Sequence, residues 1–175
     1  RAFGSLVGQI KTIQYEIARR TEPGARILSV GCGLAQKERF FAKQLPDRQF
    51  VALDIADRIV QLAREQNEVE GVTNLEIEIG DFNALELDSN SYDLVLGLGA
   101  IHHVEALESF WASVANCLVP GGVLVAQEFV GANRLQWTDA QIEAGNRMLR
   151  DVVPAEHKIH HATIERVPVE AMIAN

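Results

Sequence analysis

Residues 27–38, Ile-Leu-Ser-Val-Gly-Cys-Gly-Leu-Ala-Gln-Lys-Glu, constrain the fold of this chain more than any other stretch. An apolar run ends in Gly31-Cys32-Gly33 and passes at once into a segment of helical character. That order specifies a strand, a tight glycine-lined turn, and a helix whose N-terminus aims at whatever lies above it. Glycine lets a ligand approach the backbone, and free N–H groups at a helix start favour polar or anionic ligand atoms. Asp54 closes the second apolar run, Phe50-Val51-Ala52-Leu53, about twenty residues further on, where an acid that holds ribose hydroxyls is expected. The two signals together point to a nucleoside-containing ligand.

The rest of the chain repeats the strand-then-helix rhythm. Leu6, Val7, Ile10, Ile13 and Ile17 predict a helix over Phe3–Arg20, stopped by Glu22-Pro23-Gly24. Strands are predicted at Arg26–Val30, Gln49–Leu53, Leu75–Ile79, Tyr92–Leu98 and Val123–Phe129. Helices are predicted at Gln36–Leu45, Asp57–Glu68 and Glu105–Leu118, with another from Thr138-Asp139 to Arg150. Pro46-Asp47 and Pro120-Gly121-Gly122 are expected turns. Tyr92–Leu98 is almost wholly apolar, as a parallel strand covered on both faces should be. The expected fold is α/β: a doubly wound, mostly parallel Rossmann-like sheet with helices on both faces. From Val152 onward the pattern degrades and no element is assigned.

At 175 residues the chain suits one domain, and 47% hydrophobic with 23% charged residues is ordinary for a globular one. A formal net charge of −8 without a Lys/Arg cluster argues against a nucleic-acid partner. No stretch has the length of a membrane span, and no signal-peptide pattern opens the sequence. Cys32 and Cys117, one in a turn and one in a predicted helix, do not suggest a disulfide, so the expected location is cytoplasmic. Both ends read as cuts through a longer polypeptide.

In an open parallel sheet, ligands sit beyond the carboxyl ends of the strands. Four signals fall there: Gly31-Cys32-Gly33, Asp54, Gly80-Asp81-Phe82, and the segment from Gly97 to His103. Asp54 either accepts from ribose hydroxyls or caps a helix. Asp81 and Phe82 either hold an adenine, the carboxylate taking its exocyclic amine, or form a capped turn over a core phenylalanine. Cys32 is expected as a small apolar residue of the turn, with a nucleophilic role as the other reading. His102 and His103 follow the fourth strand, where one can serve as general base or substrate partner while the other is structural. His157, His160 and His161 have no metal-site spacing and are expected to be solvated or at an interface; no metal site is expected.

Over roughly Arg26 to Phe129 the sequence resembles the class I S-adenosylmethionine-dependent methyltransferases. The resemblance rests on Val30-Gly31-Cys32-Gly33, Leu53-Asp54-Ile55, Gly80-Asp81-Phe82, Tyr92-Asp93-Leu94-Val95, Ile101-His102-His103-Val104 and Leu118-Val119-Pro120-Gly121-Gly122-Val123-Leu124, in that order and spacing. It implies a methyltransferase that uses S-adenosyl-L-methionine and acts on a small-molecule acceptor. The turn Gly31-Cys32-Gly33 would line the methionine end of the cofactor and Asp54 would hold its ribose. Ile55 would pack on the adenine, Asp81 and Phe82 would flank the adenine amine, and backbone at Gly97 and Leu98 would meet the cofactor amino group. His102 and His103 would be the catalytic pair. Arg134 and Trp137, in the segment after the fifth strand, would contact substrate; Phe129 and Trp137 equally suit a core or interface.

The resemblance implies a single methyltransferase-like domain over 1–175. Its parts are an N-terminal helix within 1–22, a cofactor-binding core over 26–129, and a truncated substrate-side segment over 130–175. Two departures stand out: Ser29 where the family usually carries Glu or Asp, and Ala35 in place of the usual third glycine. The family's C-terminal hairpin is missing or lies beyond Asn175. Two other readings share part of the pattern: an NAD-dependent oxidoreductase, and a non-catalytic cofactor-binding or scaffolding module. A homo-oligomer also stays open.

Overall fold

A computed structural model of the chain describes residues 6–128 and 138–152. Backbone contacts divide the chain into residues 1–129 and 130–175. The first unit contains α1 (Leu6–Arg20), β1 (Arg26–Val30), α2 (Gln36–Gln44), β2 (Gln49–Asp54), α3 (Asp57–Val69) and β3 (Leu75–Ile79), then β4 (Tyr92–Leu98), α4 (Leu107–Cys117) and β5 (Leu118–Gln127). The second contains α5 (Asp139–Asp151), which opens on a capping box in which Thr138 and Gln141 satisfy each other's backbone N–H groups.

The five strands form one sheet in the order β3-β2-β1-β4-β5. Every neighbouring pair is parallel. Alternation along β1 sends Ile27 to one face and Leu28 and Val30 to the other, and each face builds its own core. On the first face, Ile13 and Ile17 of α1, Phe41 of α2 and Val60 of α3 cover Ile27, Phe50 and Leu94. On the second, Phe110, Val114 and Cys117 of α4 cover Leu28, Val51 and Val95. This is the doubly wound α/β arrangement expected from the sequence.

One connection differs from expectation. Pro120-Gly121-Gly122 does not separate α4 from the last strand, because β5 begins at Leu118, immediately after the helix. Leu118 pairs with Tyr92 and Val123 with Leu94, so the Pro-Gly-Gly segment is a bulge within the ladder rather than a turn before it. The β3–β4 crossover has no helix. Its residues make short local bonds instead: the Asn83 amide donates to Asp81 Oδ1 at 2.8 Å and the Ser91 hydroxyl to the Asp88 carbonyl at 2.7 Å. Asn, Asp and Ser side chains compete with helical backbone pairing in this way.

Ser29 does not face the ligand end of the sheet. It is buried on the α2 side, where its hydroxyl donates to Glu38 Oε1 at 2.7 Å. Glu38 is itself buried, and its Oε2 has no hydrogen-bond partner. Burial raises the Glu38 carboxyl above its usual range, although the Ser29 hydroxyl bond opposes the shift. A buried acid with a raised pKa stabilises the fold most when the unfolded chain is also protonated. That contribution is lost as pH rises from the ordinary value of 4.5 through the raised one. Glu38→Gln should therefore have a higher urea midpoint than the parent at mildly alkaline pH. The advantage should shrink as pH falls toward 4.5, measured by equilibrium unfolding at several pH values.

Candidate functional site

The carboxyl ends of β1, β2 and β4 meet the start of the β3–β4 crossover in a cleft of about 480 Å³. Gly31, Gly33, Asp54, Ile55, Asp81 and Phe82 line it, with Asn83, Gly99, Ala100 and His103. Eight of these ten lie within the four strand-end signals of the sequence: Gly31 and Gly33, Asp54, Asp81 and Phe82, and Gly99, Ala100 and His103; Ile55 directly follows the second. Asn83 lies just past the third.

The turn is built by backbone geometry. Gly31 has φ +65° and a Cβ there would overlap the Ala100 Cβ, so the position accepts only hydrogen. The Cys32 amide bonds the Leu53 carbonyl at 2.9 Å and the Gly33 amide bonds Asp54 Oδ2 at 2.8 Å. Asp54 Oδ1 accepts from the Ala56 amide at 3.0 Å, so both carboxylate oxygens are oriented before any ligand arrives. Ala35 is buried and takes φ +51°, a left-handed conformation. Its departure from glycine is thus conformational as well as steric, since a Cβ is strained there.

Other side chains of the expected site fall differently. Cys32 does not line the cleft; it packs against the first core, and burial pushes its thiol up, with the Glu38 and Asp54 charges adding to the effect. That environment suits a small apolar residue and suppresses a thiolate. Leu98 is buried and its carbonyl accepts from Lys37 Nζ at 2.9 Å, while the cleft is lined by the residues that follow it. Phe82 joins the second core and also edges the cleft. Arg134, Trp137, Phe129, His157, His160 and His161 lie outside the described residues. Among the described residues no His, Cys, Asp or Glu cluster has the arrangement of a metal site.

The two histidines part company. His103 lines the cleft, whereas His102 lines a second cavity of about 460 Å³ with Ile101, Val104, Leu107, Trp111, Ala126 and Glu128. Their rings remain in contact, with centroids 4.0 Å apart. Glu128, just past the end of β5, was not singled out from the sequence. It closes a strand as Asp54 closes β2, and that shared position was the available signal. Its Oε1 accepts from the Ala100 and Ile101 amides at 2.7 and 2.6 Å, and its Oε2 from His102 Nδ1 at 2.8 Å. Burial works against ionisation here, but the bonds from His102, Ile101 and Ala100 outweigh it and hold the carboxyl below its usual range.

A larger groove of about 690 Å³ runs between α2 and α3, away from the strand ends. Its cations Arg39 and Lys43 are already paired with Glu70, at 3.3 and 2.8 Å, so no cation of the groove is left waiting for a ligand.

The family described as "Methyltransferase domain" matches residues 21–169, which include every described element except α1. The chain belongs to this methyltransferase domain family. The 24-methylenesterol C-methyltransferase 2 of Arabidopsis thaliana is 31% identical over 121 residues, 69% of this chain and 33% of the relative. The phthiotriol/phenolphthiotriol dimycocerosates methyltransferase of Mycobacterium leprae is 27% identical over 134 residues, 76% of this chain and 47% of the relative. The chain thus spans about a third to a half of the length of these curated relatives. Among solved structures, an S-adenosylmethionine dependent methyltransferase from Mesorhizobium loti superposes with a TM-score of 0.55 at 26% identity, over 62% of this chain and 50% of that one.

For this methyltransferase domain the tightest steric point of the cleft is also its most direct test. Gly31→Ala should destabilise the fold by roughly 1–3 kcal/mol, because the backbone there is left-handed and the new methyl group overlaps Ala100. Chemical denaturation of the variant against the parent measures it.

Proposed function

We propose that this chain is an S-adenosylmethionine-dependent methyltransferase that passes the methyl group in line to a small-molecule acceptor. The observation that carries the reading is the pairing of a side-chain-free turn at Gly31 with a pre-oriented Asp54 in one cleft. A cavity of about 480 Å³ is of a size for a nucleoside joined to an amino acid. Asp54 keeps a free lone pair on each oxygen for the ribose hydroxyls, and Ile55, 57% exposed, offers an apolar face for the adenine. Asp81 takes the adenine amine with Phe82 beneath the ring, and the Gly31–Gly33 turn leaves room for the amino-acid end.

When bound, the cofactor supplies a methyl carbon activated by its sulfonium. The chain's part is to hold that carbon and the acceptor on one line and to exclude water. Such orientation contributes up to about 7–11 kcal/mol toward the barrier. His103 lines the cofactor cleft and His102 the cavity beside it, so the pair stands between cofactor and acceptor and can receive a proton where the acceptor must lose one. A negative net charge and relatives named for sterol and phthiotriol substrates favour an uncharged, apolar acceptor over a nucleic acid. Two free cysteines, with the Cys32 thiol held protonated, suit the reducing cytoplasm.

Calorimetric titration separates this reading from a dinucleotide enzyme. S-adenosylhomocysteine should bind and NAD should not. Asp54→Ala should weaken S-adenosylhomocysteine at least about tenfold, as expected when a partly buried bidentate acceptor is removed. Glu65→Ala, in the groove between α2 and α3, should leave binding unchanged. Binding of NAD alone would overturn the proposal.

A further inference from the structure

The second cavity has a wall that is almost wholly apolar and a single polar couple. Ile101, Val104, Leu107, Trp111 and Ala126 supply the wall, and His102 and Glu128 supply the couple. Every oxygen of Glu128 is committed: Oε1 to the Ala100 and Ile101 amides, Oε2 to His102 Nδ1. A carboxylate held in its anionic form has no proton to give. The hydrogen of the 2.8 Å bond therefore sits on Nδ1, and the neutral ring keeps its lone pair on Nε2. Two backbone donors fix the carboxylate before it fixes the ring, which is half exposed and touches only the His103 ring among the aromatic side chains described.

We propose that Glu128 is a positioning residue that makes His102 Nε2 the hydrogen-bond acceptor of the apolar cavity, and that this cavity receives a hydroxyl-bearing apolar acceptor with its O–H on Nε2. The inference rests on the methyltransferase reading and assigns its acceptor side. In the transfer step the acceptor oxygen forms a bond to the methyl carbon. The carbon–sulfur bond breaks with its electron pair passing to sulfur, and the acceptor proton moves to His102 Nε2, which becomes imidazolium until it is released to water. Trp111, 37% exposed, provides a flat apolar surface against which a ring system can lie.

Glu128→Gln changes one atom of the couple. The amide oxygen can still cap Ala100 and Ile101, but its NH₂ now donates to Nδ1 and moves the ring proton to Nε2. In ¹⁵N spectra recorded in alkaline buffer, where histidine rings are neutral, His102 should carry its proton on Nδ1 in the parent and in Glu128→Asp. It should carry it on Nε2 in Glu128→Gln. 1-Naphthol serves as the hydroxyl probe and 1-methylnaphthalene as its control, both followed by tryptophan fluorescence with S-adenosylhomocysteine present. Naphthol should bind about fivefold more weakly to Glu128→Gln, the loss of one hydrogen bond, while the hydrocarbon binds both proteins alike. Failure of naphthol to bind, equal naphthol binding by both proteins, or a parent ring protonated on Nε2 would each overturn the inference. S-adenosylhomocysteine titrated into the same samples reports on the methyltransferase reading separately: its binding can survive when the tautomer result fails.

Discussion

The register of β1 between β2 and β4 is the constraint on which the whole site depends. Val30 pairs with Leu53 on one side and with Gly97 on the other. Gly31, Asp54 and Leu98 then leave the sheet at the same level, and the ladder runs on into the turn through the bond from the Cys32 amide to Leu53. A slip by one residue would exchange the two faces of β1 and carry Ser29 away from Glu38. The cleft is therefore a property of strand pairing first and of side chains second. Close contact between the Gly31 backbone and Ala100 is possible only because β1 and β4 are adjacent.

Two carboxylates show how the same group is set to opposite tasks by its surroundings. Glu38 lies inside the first core with one hydroxyl for company, and the cost of desolvation favours its neutral form. Glu128 is also partly enclosed, yet three N–H donors converge on it and favour the anion. One acid is a packing element. The other is an orienting charge at the mouth of the sheet.

Much of this was legible in the sequence. The boundaries of β1, β3 and β4, the strand-end position of Asp54, and the gathering of the four ligand signals at one edge follow from apolar runs and their glycine or acid endings. What escaped has physical causes. Pro120-Gly121-Gly122 carries the composition of a turn, and only the pairing of Leu118 with Tyr92 shows that the strand has already begun. Ser29 looked like a weakened ligand contact because its partner Glu38, nine residues on, faces it only once α2 folds back over β1. The division between His102 and His103 is set by a carboxylate 26 residues away. No local pattern reports such a partner.

The helix-free crossover between β3 and β4 has a further consequence. Asp81, Phe82 and Asn83, on one wall of the cleft, ride on a segment held by turns, by the packing of Leu85 and Leu87 on the second core, and by single bonds from the Glu105 amide to Asn83 and from the Ser113 hydroxyl to the Leu85 carbonyl. The opposite wall, Gly31 to Asp54, is locked into the sheet ladder. Local opening costs least where backbone pairing is sparsest. The two walls of the cleft thus differ in stiffness: it can widen by loosening about a dozen residues of one wall, with the strands keeping their register throughout.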